Sequence, residues 1–396
     1  MATTTPPPSP PIAAGTGSDP FEKETGIREE IALCLSGGGY RAMIFHLGAL
    51  IRLNETGTLK KLGRVSSVSG GSITAAMLGL KWNKLAFNAN GVAINLETEV
   101  IAPIVALGGE TIDAGSVIAG ILNPFDSISD HITKAYRKHL FGDATLQDLP
   151  LDSEGPRFVI NATNVMTGAL WRFSRPFMGD WKVGITPKPT TSLAQAVTAS
   201  SAFPPILSPM ELDLSGCEFP PLQKPAPLQR KPFTQKAVLS DGGVYDNMGL
   251  ETAWKHSRTL LVSDAGAAFK PEEKPHSDWT RHSIRVLDLI DNQVRSLRKI
   301  ALINALDEKD PARKEHDGAY WSINSDLTRY PTTGELPCAP DRAHELAATP
   351  TRLAELDAGY MNRLINWGYA ISTAALLSHY PTSGAPAAKF PRPGGV

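Results

Sequence analysis

This 396-residue chain has little of several things that would fix its class at once. Charge of one sign is missing: 39 Lys and Arg nearly balance 40 Asp and Glu, so nothing global favours nucleic acid or a strongly anionic surface. The three cysteines, Cys34, Cys217 and Cys338, are too few and too scattered for a disulfide framework, which fits a reducing compartment. No run of about 18 uninterrupted apolar residues appears, which argues against a membrane span. The opening "MATTTPPPSPPIAAGTGSDP" has neither the basic start nor the apolar stretch of a secretory signal, and its Pro and Thr richness predicts a disordered tail over 1–27. The reading is a cytoplasmic globular protein with one domain over 28–382 and a second flexible end over 383–396, within "PTSGAPAAKFPRPGGV".

What is present is a rhythm of short apolar runs followed by small residues. Residues 31–35 read as a buried strand, then Gly37, Gly38 and Gly39, then a helix over 40–54 with Met43, Leu47, Leu50 and Leu53 in helical spacing. "RVSSVSGGS" and the helical "ITAAMLGLKW" repeat the order, which is the signature of a βαβ unit and a parallel sheet. Further strand-like runs occur at "RFVINAT", "KAVLSDGG" and "TLLVSDAG". The proline-rich "PPLQKPAPLQRKP" and "PTTGELPCAP" read as surface loops, and 352–380 has helical spacing.

Ser69 sits between a β-prone run and a helix, with Ser67 two before it and Gly71 two after, close to the G-x-S-x-G turn that exposes a nucleophile at a strand end. Ser72 ranks second, and the same small residues would also serve a plain strand–helix turn. Gly38 lies about one βαβ unit before Ser69, so both turns should fall at the carboxyl ends of parallel strands, where open α/β sheets place their sites. The Gly37, Gly38 and Gly39 amides would then lie beside the serine as oxyanion donors, with Arg41 adding a fixed cation. "SGGGYRA" lacks the G-x-G-x-x-G spacing and no P-loop occurs, so nucleotide binding is weakly supported.

Serine needs a base. Asp241, after an apolar run and before two glycines, is the preferred partner; His256 is the rival, because Ser69, Asp241, His256 would follow α/β-hydrolase order. His46, on the helix after the glycines, reads as a packing residue. "HELAA" at 344–348 lacks the second histidine of a zinc motif, and no calcium loop is visible, so neither metal nor cofactor is expected.

Together, "GGGYRA", "SVSGGS" and "DGG", supported by "TLQDLP", "FVINATNVMTGALWRFS", "TASSAFPP", "DGGVYDNMG" and "LINWGYA", resemble the patatin-like phospholipase family, particularly its bacterial members, over about 28–380. The resemblance implies a three-layer α/β/α sandwich with a mainly parallel central sheet. It also implies a Ser69–Asp241 dyad that cleaves acyl esters of phospholipids or other lipids without calcium. Gly37, Gly38 and Gly39 would form the oxyanion hole with Arg41 beside it, and Asn247, Ser201 and Pro204 would shape the site. Acyl transfer, thioester cleavage and a non-catalytic lipid-binding module remain alternatives. The lipid substrate implies transient peripheral membrane contact: the apolar stretch 100–125 is a candidate flap or acyl-groove wall but reads better as an ordinary buried helix and loop, and the basic amphipathic 281–301 reads better as a solvated helix face than as a headgroup contact.

Overall fold

The computed structural model describes residues 27–112, 127–221, 225–332, 336–382 and 384–396. The tail over 1–26 and residues 113–126 of the candidate flap lie outside the described residues. Ten strands form one mixed sheet: β1 Arg28–Leu35, β2 Leu62–Val68, β3 Arg157–Asn164, β4 Ala169–Phe173, β5 Phe177–Asp180, β6 Gly184–Pro187, β7 Met210–Asp213, β8 Lys236–Asp241, β9 Ser257–Asp264 and β10 Asp317–Ser322. Along the order β10-β9-β1-β2-β3 every pairing is parallel. The sheet continues antiparallel through β4, β5 and β6, and β8 pairs antiparallel with both β3 and β7.

The described helices are α1 Gly39–Glu55, α2 Gly70–Lys81, α3 Ala102–Gly108, α4 Ile128–Tyr136, α5 Leu193–Ser200, α6 Gly243–Asp246, α7 Leu250–Trp254, α8 Trp279–Asp307, α9 Pro340–Ala347 and α10 Ala358–His379. Alternation along β1 explains the layering. Leu33 and Leu35 join the core that holds α1, α2 and α10, while Ala32 and Cys34 face a smaller core with Leu250, Ala253, Trp254 and Leu302 of α7 and α8. The architecture is the expected α/β/α sandwich. Caps set the helix starts: Ser127 with Asp130 and Ser192 with Gln195 form capping boxes for α4 and α5, and Asp357 accepts from the Gly359 and Tyr360 amides at the start of α10.

Three sequence expectations meet structural detail here. In the described part of the candidate flap, Val100, Ile101, Ile104, Leu107 and Ile112 are buried in the main core, so that part packs inward. Second, α8 turns Arg295 and Arg298 inward and several apolar residues outward. Arg295 faces Asp264 and Arg298 faces Asp246 and Glu251, while Trp279, Leu287, Ile290, Leu297 and Ile300 are each more than half exposed. Carboxylates on the adjoining elements draw Arg295 and Arg298 in, so the exposed side is mixed, with Arg281 and Lys299 standing among apolar residues.

Third, the end expected to be flexible is held against α10. The buried Asn366 amide donates to the Arg392 and Gly395 carbonyls and accepts from the Arg392 amide, Arg52 donates to the Pro386 carbonyl, and Val396 is buried. Composition misled here because a buried amide demands partners, and the tail supplies them. Asn366→Ala should therefore cost about 1–3 kcal/mol, read as a lower urea midpoint, together with new proteolysis within 384–396. An unchanged midpoint and an uncut tail would show that other contacts hold it.

Candidate active site

The sheet register decides where the candidate residues meet. Val68, the last residue of β2, pairs with Asn161 of β3, and Asp241, the last residue of β8, pairs with the next residue, Ala162. Because β2 runs parallel to β3 and β8 antiparallel, their carboxyl ends approach head-on. Ser69 and Asp241 each stand at that junction. β1 lies beside β2 with Leu35 opposite Ser67, so the glycine loop leaves the sheet at the same edge.

Ser69 has φ 52° and ψ −123°, a conformation that L residues rarely adopt; among the described residues Lys188 is the other non-glycine with positive φ. Such strain, typically about 1–3 kcal/mol, persists only where surroundings enforce it. Here the Ser69 amide donates to Ser200 Oγ (2.9 Å), Ser200 donates to the Asn161 carbonyl (2.6 Å), and the Ser69 carbonyl accepts from the Ser72 and Ile73 amides as α2 begins. Ser72 is fully buried and bonded to Ser67 and Ser200, a structural hydroxyl rather than a second nucleophile.

The glycines let backbone approach backbone. A Cβ on Gly37 would fall 3.1 Å from Ser69 Cβ, and one on Gly70 would fall 2.0 Å from the Gly39 carbonyl oxygen. The three amides are not equivalent, however. Gly37 donates to the Asn247 carbonyl (3.0 Å), so its N–H is already engaged. The Tyr40 amide is held by the Arg352 carbonyl (2.9 Å). Among the described residues no carbonyl accepts from Gly38 or Gly39, which leaves two unsatisfied donors of the helix start. Arg41 is buried; its guanidinium donates to the Ala265 and Thr349 carbonyls, and Nη2, which lies against Gly38, has no partner among the described residues. Burial, aided by Arg295, lowers its pKa to about 10 against the pull of Asp264, so it remains a cation at neutral pH.

Asp241 is locked by its backbone: its amide donates to the Ala202 carbonyl (2.8 Å) and its carbonyl accepts from Thr163 (2.8 Å). Oδ1 accepts from the Gly243 amide (2.7 Å), while Oδ2 is buried without a hydrogen-bond partner among the described residues. Burial raises the carboxyl pKa to about 7, against the Gly243 amide and the Ser69 hydroxyl, which both favour the ionised form, and with help from Asp291 of α8. Ser69 therefore acts on the carboxyl from nearby, without a completed hydrogen bond between the two side chains.

The histidines lie elsewhere. His46 bonds Ser263 Oγ (2.8 Å) and the Ser36 carbonyl (2.9 Å), and burial lowers its pKa to about 4, as befits a neutral packing group. The His256 carbonyl accepts from the amide of Arg28, the first residue of β1, which places it at the amino edge, a strand length of about 25 Å from the site. The Ser69, Asp241, His256 alternative is thereby removed. Among the described residues no group of three His, Cys, Asp or Glu side chains could hold a metal ion.

The model of the patatin-like phospholipase family matches residues 33–254. The chain belongs to that family. None of the curated proteins matches it. Among solved structures, human GIVD cytosolic phospholipase A2 is 13% identical with a TM-score of 0.50, over 89% of this chain and 61% of that one. VipD from Legionella pneumophila is 18% identical with a TM-score of 0.37, over 89% of this chain and 68% of that one. This patatin-like chain thus spans about three fifths of the human phospholipase's length, and at such identities the likeness concerns the fold.

Sequence reasoning did not identify Ser200, whose hydroxyl bridges Ser69 to β3. The "TASSAFPP" segment was in view, but the choice between adjacent serines needs the helix phase. Sign also follows for stability. With its pKa raised above the unfolded value, Asp241 binds its proton more tightly when folded, so its stabilising contribution is present below pH 4 and lost as pH rises through about 7. Asp241→Asn should flatten that part of a urea-midpoint profile measured from pH 5 to 8; an identical slope in the variant would assign it to other groups.

Proposed function

We propose that this patatin-like protein hydrolyses carboxylic ester bonds of phospholipids or related lipids through Ser69 and Asp241, with an acyl-enzyme intermediate and without calcium. The observation that carries the reading is the head-on junction of β2 and β8, which sets a strained serine opposite a buried carboxyl with one unpartnered oxygen. Ser69 Oγ attacks the ester carbonyl as its proton passes to Asp241, and the leaving alcohol takes that proton. Water then cleaves the acyl-enzyme with Asp241 again as base. The Gly38 and Gly39 amides serve as the oxyanion donors, aided by the positive ends of α1 and α2, while Gly37 instead fixes the loop. Arg41 offers Nη2 beside that loop to an anionic part of the substrate. A base with a pKa near 7 is matched to neutral pH, unlike an ordinary aspartate.

Fluorophosphonate should label the wild type and not Ser69→Ala, and Asp241→Asn should lower kcat by about 10²–10⁴. The rate should rise with pH to a midpoint near 7, because Asp241 must be ionised. Labelling that survives loss of the Ser69 hydroxyl would overturn the assignment.

Membrane contact in this reading is peripheral, since among the described residues no helix is long and apolar enough to cross a bilayer. Its support is the outward apolar side of α8, together with exposed Phe203, Ile206 and Val244 on the segments that follow Ser201 and Asp241. Leu287→Asp with Leu297→Asp should reduce hydrolysis of phosphatidylglycerol vesicles by roughly tenfold or more, through lost apolar contact, while sparing a water-soluble short-chain ester. Equal losses on both substrates would sink the surface role.

A further inference from the structure

Beside the Asp241 carboxyl the fold buries two more polar atoms that the chemistry above leaves unused. Tyr136 Oη, at the end of α4, and Ser201 Oγ, just past the end of α5, are both buried and have no hydrogen-bond partner among the described residues, the same condition as Asp241 Oδ2. Backbone and side-chain contacts draw these groups together. Thr133, one turn before Tyr136, donates to Thr198 (2.9 Å), one turn before Ser201, so α4 is tied to α5 at this level. The Ser200 and Ala202 carbonyls on either side of Ser201 accept from the Gly242 and Asp241 amides (3.3 and 2.8 Å). Burial pushes the Tyr136 hydroxyl pKa up and the negative charge of Asp241 adds to it, while Ser201 opposes the rise from beside the hydroxyl without completing a hydrogen bond.

A buried polar atom left without a partner costs about 1–3 kcal/mol, and three such atoms at one place point to something polar that joins them. An acyl chain offers them nothing. Their chemistry suits a small hydroxyl-bearing molecule: phenol and serine hydroxyls can donate, and a carboxylate oxygen can only accept. A water held by two to four polar groups meets all three requirements.

We propose that Tyr136 and Ser201 bind the water that hydrolyses the acyl-enzyme and present it to Asp241 Oδ2. The inference rests on the Ser69–Asp241 reading and adds what separates its second step from its first. Tyr136 donates to the water oxygen, Ser201 fixes its direction, and one water proton points at Oδ2. As the water oxygen bonds to the acyl carbonyl carbon, that proton moves to Asp241. Collapse of the intermediate breaks the bond from carbon to Ser69 Oγ, Oγ takes the proton from Asp241, and a free carboxylic acid leaves. Acylation needs no such water, so the two steps respond differently to loss of the pair.

The test is acid-quench kinetics of the full-length protein with p-nitrophenyl butyrate: nitrophenol release reports acylation, and intact mass reports the butyrylated enzyme. Tyr136→Phe and Ser201→Ala should each keep acylation within about threefold of wild type, slow loss of the butyryl group by roughly 10–100-fold and raise the butyrylated fraction. Ser201→Thr, which keeps a hydroxyl, should return deacylation close to wild type. Fluorophosphonate labelling of both variants at the wild-type rate would show an intact nucleophile. Parallel loss of acylation and deacylation, or no change in either, would overturn the water site. A wild type that fluorophosphonate fails to label would instead overturn the dyad beneath it.

Discussion

β3 is shared by two strands that reach it from opposite directions, and the site geometry depends on that sharing. Its residues 157–161 hold β2 and its residues 162–164 hold β8. A strand's side chains alternate between faces, so a one-residue slip of β8 would turn the Asp241 side chain to the other side of the sheet. The register is protected by contacts that do not involve the carboxyl group: Thr163 bonds the Asp241 carbonyl, the Ala202 carbonyl takes its amide, and β7 pairs with Met210 opposite Leu239. Ser200 extends the same lock to the other partner by joining the Ser69 amide to the Asn161 carbonyl.

At this junction two electrostatic demands oppose each other. The starts of α1 and α2, beside the glycine loop, favour negative charge, as does the Gly243 amide on Oδ1. Burial and Asp291 oppose ionisation of Asp241, and burial is the largest influence, because the carboxyl is all but sealed from water and Oδ2 has no donor to replace it. A second amide on Oδ2 would hold the group ionised and make it a weaker base. An Oδ2 that takes no fixed amide among the described residues therefore suits this aspartate to proton transfer near neutral pH.

Much of this arrangement was legible in the sequence, for identifiable reasons. Ser69 and Asp241 each follow an apolar run and precede small residues, a pattern that marks strand ends whatever the tertiary context. The parallel sheet was readable because short apolar runs alternate with helical spacing, whereas the three layers came from the family resemblance. What stayed hidden depends on which neighbour happens to arrive. Nothing local says that the Gly37 amide answers the Asn247 carbonyl, that Asn366 captures the C-terminal segment, or that carboxylates from other elements draw the arginines of α8 inward. Ser200 was invisible for the same reason: its hydroxyl matters through Ser69 and Asn161, both distant in the chain.

The inward charges of α8 bear on how such a site could work at a lipid surface. Arg295 and Arg298 fasten the helix to Asp264, Asp246 and Glu251, while Asp291 reaches the field of Asp241. A helix held only by apolar burial would have no apolar side left to show to solvent. Ionic anchoring frees that side, so Leu287, Ile290 and Leu297 can stand exposed without loosening the helix from the body of the protein. Half-buried ion pairs gain strength as water withdraws from them, because the effective dielectric around them falls. Covering the apolar side would therefore tighten the anchor that Arg295 and Arg298 make.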